Sequence, residues 1–479
     1  MIIIFAGYLA LTMGIGLWQA LRTKTQSDFV LGASKLPGWM LALSERATGE
    51  SAWLLLGLTG FIYAHGISGI WIGVGCLLGI STAWIVLARK FRREASKYNS
   101  LTMPEYFSAK FPQKANAIRI LSTLIIVFFF IFYVGAQFAG AGKTIFTTFG
   151  LSPFWGQIIA AAVILVYATI GGFISVVAVD TFQSILMITT LIVTPIVIII
   201  HILSGPFSIP EAVAAASKGA GSLTGGLTGF AAGLLIFNNL AWFFGYLGGQ
   251  PQLNARFMGM RDDRNVKIGR NIAVSWTLLA YIGVVIIGMG GLVLFGPNAV
   301  PDEEMILPYI LKQLFPWWLA AILLAGAVAA MVSTAQSMLL VAASSVSQDI
   351  YKGIIKKGKA PDAKLLTISR IATLGIGIFA LILALTTSDL IYYIVSYAWA
   401  GIGCSFAPAV LLSFYWDRFG SSGVVTALFT GLTTTVIWIV SGLDKMITAR
   451  AVTFIVAMTL AILVTLLKKE EKHIPVTQP

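Results

Sequence analysis

Apolar stretches of about 20 residues, divided by short polar or basic connections, recur along the whole chain. Each is long enough to cross a ~30 Å hydrocarbon core as a helix. The pattern predicts helices at 1–21, 38–63, 66–88, 119–147, 153–176, 180–203, 227–250, 271–296, 317–347, 366–387, 389–415, 422–442 and 448–467. The runs are continuous rather than alternating, which excludes a transmembrane β-barrel with its ~10-residue two-sided strands. The fold class that follows is an all-α polytopic membrane protein with about 13 transmembrane helices. The connections leave no room for a soluble catalytic domain.

Composition agrees. Of 479 residues, 58% are hydrophobic and 11% charged, against about 25% charged in soluble domains. The net charge of +13 would suggest nucleic acid on a soluble protein. Here its distribution matters more, because cytoplasmic connections collect Lys and Arg. With the N-terminus outside, the outer side keeps only Lys218, Lys312, Lys445 and Arg450 of the 32 basic residues. Arg46 and Lys143 fall within spans, and the others lie on the inner side. That predicts a multi-pass cell-membrane protein, N-terminus outside and C-terminus cytoplasmic, suited to a bacterial inner membrane. Residues 1–21 lack a basic n-region and read as a retained helix. The acidic Asp302-Glu303-Glu304 reads as a solvated outer connection. Cys76 and Cys404 sit in apolar segments, and His65, His201 and His473 are scattered, so neither a disulfide framework nor a ligand cluster is predicted.

Two spans are not bland. The second carries Ser44-Glu45-Arg46-Ala47-Thr48-Gly49-Glu50-Ser51-Ala52-Trp53. Each ionisable group at mid-bilayer costs at least ~2.5 kcal/mol on insertion scales, which simple anchoring does not require. The functional reading is a helix broken near Gly49, lining a polar cavity. The alternative is an Arg46–Glu50 pair at i, i+4 that only holds helices together. The seventh span carries Asn238-Asn239-Leu240-Ala241-Trp242-Phe243-Phe244-Gly245-Tyr246-Leu247-Gly248-Gly249-Gln250-Pro251, again an interrupted pattern. Trp242 and Tyr246, four apart, share a face if the helix is intact there; an aromatic stripe also serves plain packing. The breaks lie five spans apart. Five is odd, so a second copy would be inverted, and paired interruptions point to a transporter site at the midplane. The ninth span adds Ser333, Thr334 and Ser337, hydroxyls that can ligate Na+ or simply bond back to their own helix.

At these residues the chain resembles the sodium/solute symporter family, nearest its sodium/proline branch, over most of its length. The carrying stretches are Ser51-Ala52-Trp53-Leu54-Leu55-Leu56-Gly57-Leu58, Leu101-Thr102-Met103-Pro104-Glu105-Tyr106-Phe107 and Ile170-Gly171-Gly172-Phe173. Gln250-Pro251, Ala255-Arg256-Phe257-Met258, Met331-Val332-Ser333-Thr334 and Val395-Ser396-Tyr397-Ala398-Trp399-Ala400-Gly401 complete them. The resemblance implies a LeuT-like core of inverted five-helix repeats. These are expected at 38–210 and 211–417, with 1–37 as an extra helix and inner loop and 418–479 as two further helices and a tail. It implies alternating access driven by Na+. The implied sodium ligands are backbone carbonyls of Ala47, Glu50 and Ala330 and hydroxyls of Ser333 and Thr334, with Asp180, just after the fifth span, on the exit path. The implied substrate contacts are Ser51, Trp53, Tyr133, Trp242 and Tyr246, Tyr133 also as an outer-gate candidate.

The chain departs from that branch in one segment. Proline symporters carry Ala-Ser-Asp-Met-Ser before Gly-Trp; here Ala47-Thr48-Gly49-Glu50-Ser51 precedes Ala52-Trp53. The carboxylate moves one place, to Glu50. The expected activity is Na+-coupled symport of proline or a related small amino or organic acid. The alternative is a proton-coupled or ion-independent transporter of the same fold, with Glu50 as the protonatable group. The expected partners are the solute and the lipid bilayer, with no nucleic acid and no obligate protein partner. No nucleophile–base pair or metal constellation supports an enzyme.

Overall fold

The computed structural model describes residues 1–20, 25–32, 36–216, 219–387 and 389–468. Arg22, Lys24, Lys35, Lys218 and the tail beyond 468, which enter the charge pattern, lie outside the described residues. Among the described residues there is no β-strand, only an isolated bridge between Leu36 and Met260.

Among the described residues, twelve helices are long and apolar enough to cross a membrane. One, residues 38–97, runs for 60 residues. At 1.5 Å per residue it would be about 90 Å long, three times the apolar thickness. It is instead a hairpin. Gly66 turns the chain with φ 78° and ψ −160°, a conformation open to residues without a Cβ. As a result the Trp84 indole N–H reaches back to the Glu45 carboxylate at 3.1 Å. The described residues therefore make thirteen crossings, as the apolar pattern predicts. Crossing 1 is Ile2–Ala20; crossings 2 and 3 are residues 38–65 and 70–97. Crossings 4 to 6 are Ala115–Phe149, Pro153–Ile170 and Phe173–Ser204. Crossing 7 is residues 229–246, and crossing 8 is Asp263–Phe295. Crossings 9 to 11 are Trp317–Ser344, Asp362–Thr386 and Ile391–Tyr415. Crossings 12 and 13 are Ser421–Val440 and Ala449–Leu467.

Burial separates centre from periphery. In crossings 9 and 11, 83% of the apolar window is inside the protein, against 17% in crossing 1. Large side chains such as Ile3, Leu203, Phe230, Val440 and Leu467 are exposed. In water such a surface would aggregate; around a bundle of this length it is the face for lipid. Crossings 2 and 6 pack on each other and on crossings 8 and 9 at the centre, and crossings 2 and 6 carry the buried Glu45, Arg46, Glu50 and Asp180.

Three expectations need correction. Crossing 5 ends at Ile170 and crossing 6 begins at Phe173, so the turn falls at Gly171-Gly172. Asp180 is then two turns inside a helix rather than beside a connection. The acidic segment is solvated only in part: Glu304 is buried, salt-bridged to Lys143 Nζ at 2.5 Å, and accepts the Ile391 and Tyr392 N–H groups at 3.0 and 2.9 Å. It caps crossing 11, which accounts for a carboxylate at a helix N-terminus. Arg256, counted among the inner-loop charges, is fully buried, because Pro251–Met258 folds back as a helix into the bundle.

Candidate functional site

Crossing 2 is helical from Gly38, and Gly49 lies within the regular part. The break is at Ser51, with φ 47° and ψ −172°. A non-glycine residue there costs strain, and local partners repay it. The Ala52 N–H donates to Gln137 Oε1 at 2.9 Å, and the Trp53 N–H to Ser51 Oγ at 3.0 Å. The chain then continues as a π-helical stretch, Trp53–Leu58, a form frequent at functional sites. Crossing 7 breaks likewise. Its helix stops at Leu240, one turn covers Trp242–Tyr246, and residues 247–250 are unwound before the helix from Pro251.

The two breaks face each other across an aromatic cage. The Trp53 and Trp242 rings are 4.2 Å apart. Trp399, on crossing 11, stands 4.2 Å from Tyr246, 6.0 Å from Trp242 and 6.5 Å from Tyr133. The Tyr133 hydroxyl donates to Ser51 Oγ at 3.1 Å. Thus Ser51, Trp53, Tyr133, Trp242 and Tyr246 come together, all buried. Trp399 and Tyr392 complete the cage; Tyr392 lies 6.3 Å from Trp53 and 6.2 Å from Trp242. Trp53 Nε1, Trp242 Nε1, Trp399 Nε1 and the Tyr246 hydroxyl make no hydrogen bond of ordinary geometry. Buried polar atoms are rarely left so. A cage of aromatic faces with unmet polar atoms suits a ligand that is part apolar, part polar.

Below the break, crossing 2 meets crossing 9. Thr334 Oγ1 donates to the Thr48 carbonyl at 3.0 Å and lies 3.5 Å from the Ala47 carbonyl. Ser333 Oγ, buried, makes no hydrogen bond of ordinary geometry. Ala330 is fully buried one turn earlier on the same helix. The Glu50 carbonyl accepts the Trp53 N–H and keeps a second lone pair. Thr334 and the Ala47 and Thr48 carbonyls thus meet at one helix junction, with Ser333 beside them, and hydroxyls and carbonyls are the kind of donors a hard cation takes.

The charges occupy two opposite faces of crossing 2. At about 100° per residue, Ser44 and Thr48 lie on one side and Arg46 and Glu50 on the other. On the first face, Arg256 and Asp180 form a buried ion pair at 3.1 Å. Asp180 accepts from Ser44 Oγ at 2.6 Å and Gln336 Nε2 at 2.9 Å. Arg256 also donates to Thr48 Oγ1 at 3.0 Å and Ser337 Oγ at 2.6 Å. On the second face Arg46 binds Glu45, and binds Glu50 at 2.7 Å. Tyr281 donates to Glu50 at 3.0 Å, and Arg46 to Thr277 at 3.2 Å. The Glu50 side chain is thus committed to Arg46 and Tyr281, on the face opposite Ser44 and Thr48. Arg256, Trp399, Tyr392 and Tyr281 have no assigned role in the sequence reading. The first two stand inside quoted motifs, but nothing in one-dimensional spacing brings them to the cage or to Asp180.

With this geometry in view, the comparisons decide the family. The sodium:solute symporter family model matches residues 29–431. The chain belongs to this family. The osmoregulated proline transporter OpuE of Bacillus subtilis is 33% identical over 98% of this chain and 95% of its own. The sodium/proline symporter of Salmonella typhimurium is 33% identical over 91% and 87%. Among solved structures, a Na+-coupled sialic acid symporter in a substrate-bound outward-open state matches with TM-score 0.81, at 18% identity, over 99% of this chain and 98% of that one. A closed nucleobase-cation-symport-1 family transporter matches at TM-score 0.57 over 92% and 94%. The symporter's fold is thus the LeuT-like one, and the chain is a secondary active transporter, with Na+ as coupling ion, rather than an enzyme.

One packing feature of this symporter is directly testable. Crossing 3 carries Gly75 and Gly79, a small-xxx-small pair that lets helix backbones approach. A Cβ at Gly75 would come 2.6 Å from the Leu240 carbonyl; one at Gly79 would come 2.7 Å from Tyr246 Cβ. Both glycines thus seat the broken crossing 7. Overpacking there costs about 1–3 kcal/mol. Gly79→Val is expected to cut uptake per molecule about tenfold, measured against membrane protein by immunoblot. Uptake equal to wild type would show that crossing 7 does not need this close seat.

Proposed function

We propose that the protein carries proline, or a closely related small amino or organic acid, inward with Na+ by alternating access between repeats 38–210 and 211–417. Na+ is held by the carbonyls of Ala47, Glu50 and Ala330 and the hydroxyls of Ser333 and Thr334. The substrate is held by Ser51, Trp53, Tyr133, Trp242 and Tyr246. The observation that carries this reading is the single break at Ser51. The cage lies on one side of it and the oxygen set on the other, so one segment touches both ligands. Na+ bound at the Ala47 and Thr334 oxygens fixes crossing 2 against crossing 9. That positions Ser51 and Trp53, and substrate then draws crossing 7 onto them. Ordered binding of this kind couples the two ligands through one shared element. The proline relatives support the substrate.

The orientation is N-terminus outside. Arg89, Arg92 and Arg93 gather on Asp263 at one end of the bundle, at 3.4, 2.6 and 2.5 Å; this is the cytoplasmic end by the excess of basic residues. Asp180, paired with Arg256 between the ion ligands and that end, is the exit-path residue.

A second reading rests on Glu45 and Glu50 sharing one guanidinium. Two buried carboxylates on a single cation carry one negative charge more than it balances, which makes Glu50 a site for proton coupling. The test is L-proline uptake into proteoliposomes, with an inward Na+ gradient or with choline at fixed pH, in wild type and Glu50→Gln. Na+-dependent uptake retained in Glu50→Gln supports coordination through the backbone carbonyl. Uptake indifferent to Na+, pH-dependent in wild type and pH-independent in Glu50→Gln, replaces it with the proton reading.

A further inference from the structure

The cage has a neighbour that lies outside both five-helix repeats. Arg450, in the first turn of crossing 13, is only 5% exposed. Its guanidinium carbon stands 4.3 Å from the centre of the Trp242 ring. It donates to Ser396 Oγ and, at 3.4 Å, to the Asn238 carbonyl. Its Nε has no hydrogen-bond partner. Among the described residues no carboxylate pairs with it. Asp444, six residues earlier, is occupied with the Ala449 N–H at 2.5 Å.

The cations Arg46, Arg256 and Lys143 differ in this respect. Arg46 has Glu45 and Glu50; Arg256 has Asp180; Lys143 has Asp302 and Glu304. A buried guanidinium balanced only by one hydroxyl, one distant carbonyl and a ring face is under-compensated. The missing partner is an anion. A second observation gives the same sign. Indole N–H groups can only donate; that of Trp53 has no partner, and those of Trp242 and Trp399 reach only the Tyr392 and Tyr133 hydroxyls, outside ordinary geometry. Donors that converge on one cage beside an unpaired guanidinium define an acceptor-bearing, negatively charged ligand group.

We propose that Arg450 is a specificity-determining residue that recognises the carboxylate of the transported solute at the outer entrance of the cage. In the state described here the guanidinium lies over Trp242. An entering carboxylate takes the place of the ring face as its main partner, and the apolar part of the solute goes to the Trp53 and Trp242 rings. Crossing 13 thereby contributes to selection although it is no part of the moving repeats. The proposal rests on the reading of the cage as the substrate site.

The experiment is competition for Na+-dependent L-proline uptake by unlabelled L-proline and by L-prolinamide, which lacks the carboxylate. Wild type, Arg450→Gln, Arg450→Lys and Ser396→Ala are compared. Loss of a charge-assisted contact corresponds to about 10- to 100-fold in affinity. Wild type should favour proline over the amide by that factor. Arg450→Gln should bring the two within about threefold of each other, while Arg450→Lys keeps most of the preference. Ser396→Ala, which loses only an anchor of the guanidinium, should keep the preference as well. An unchanged proline-to-amide ratio in Arg450→Gln overturns the proposal, as does a purely proportional loss for both ligands. If Arg450→Gln does not accumulate in the membrane, the Arg450→Lys ratio decides: a value at unity overturns it. If wild type takes up no proline, the substrate assignment has failed, and the same ratio is read by tryptophan fluorescence in purified protein. The probes are then alanine, pyruvate and succinate, each against its amide. Acid preference in wild type that vanishes in Arg450→Gln upholds the proposal; equal binding of acids and amides, or none, overturns it.

Discussion

Exchanging Ser333 and Thr334 together for alanine will raise the Na+ concentration for half-maximal uptake by about 100-fold or more. Each oxygen contact with a charged group is worth about 1.5–3 kcal/mol, and 1.4 kcal/mol is tenfold in affinity. The two hydroxyls are not equivalent. Thr334 Oγ1 donates to the Thr48 carbonyl at 3.0 Å, so its removal also loosens crossing 2 from crossing 9. Ser333 Oγ makes no hydrogen bond of ordinary geometry. Its removal leaves the Thr334 contact between crossings 2 and 9 in place, so Ser333→Ala alone separates ligation from that packing. It should raise the half-maximal Na+ concentration about tenfold with unchanged thermal stability in Na+-free detergent. The maximal rate at saturating Na+ should recover, since the carbonyl ligands remain. Uptake against Na+ concentration in proteoliposomes, with choline holding ionic strength constant, checks both variants. A half-maximal concentration within threefold of wild type in the double variant would place the ion elsewhere.

How much of this was legible in the sequence differs from residue to residue. The crossings were, because hydropathy is additive along a helix and needs no tertiary knowledge. The existence of a break in crossing 2 was also legible, from Glu45, Arg46 and Glu50 in an apolar run. Its position was not. Glycine marks where a backbone can bend, but Gly49 stays helical and Ser51 bends instead. The deciding groups, Gln137 on crossing 4 and the Ser51 hydroxyl itself, act on the N–H groups of Ala52 and Trp53. Gln137 comes from 85 residues away and leaves no local pattern. Asp180 was placed beside a connection because the apolar run spans the Gly171-Gly172 turn with little change in hydropathy. The cage was half legible. Trp53, Trp242 and Tyr246 stand next to breaks, whereas Trp399 and Tyr392 lie in an unbroken apolar helix and look like packing until crossing 11 is laid against crossing 7. Arg256 read as a loop charge for the converse reason: its position in the chain is cytoplasmic, but Pro251–Met258 carries it inward to Asp180.

Arg46→Gln is expected to be the most damaging single change in the interior. It removes the cation from between Glu45 and Glu50, which are both buried. Breaking a buried ion pair by deleting one partner costs about 3–5 kcal/mol, because the remaining charge has no solvent and no counter-ion. Here two carboxylates are left. Tyr281 and Trp84 still donate to them, at 3.0 and 3.1 Å, but neither carries charge. The variant should accumulate poorly and lose its monodisperse peak in detergent well below the wild-type melting temperature. Charge balance rather than shape is the cause, so neutralising the acids should reverse it. Replacing a buried charge network by apolar or neutral groups of similar volume is often neutral or stabilising. Arg46→Met combined with Glu45→Gln and Glu50→Gln should therefore regain most of the stability. Failure of the triple variant to do so would mean that the hydrogen bonds of Arg46 to Thr277 and its neighbours, not its charge, hold crossing 2 to crossing 8. The recovered variant then separates the two coupling schemes. Na+-driven uptake that survives in it leaves the network a structural one, with the ion bound through carbonyls on the opposite face. Stability regained without uptake would assign the network a part in coupling, because nothing else in the cage or in the oxygen set has been altered.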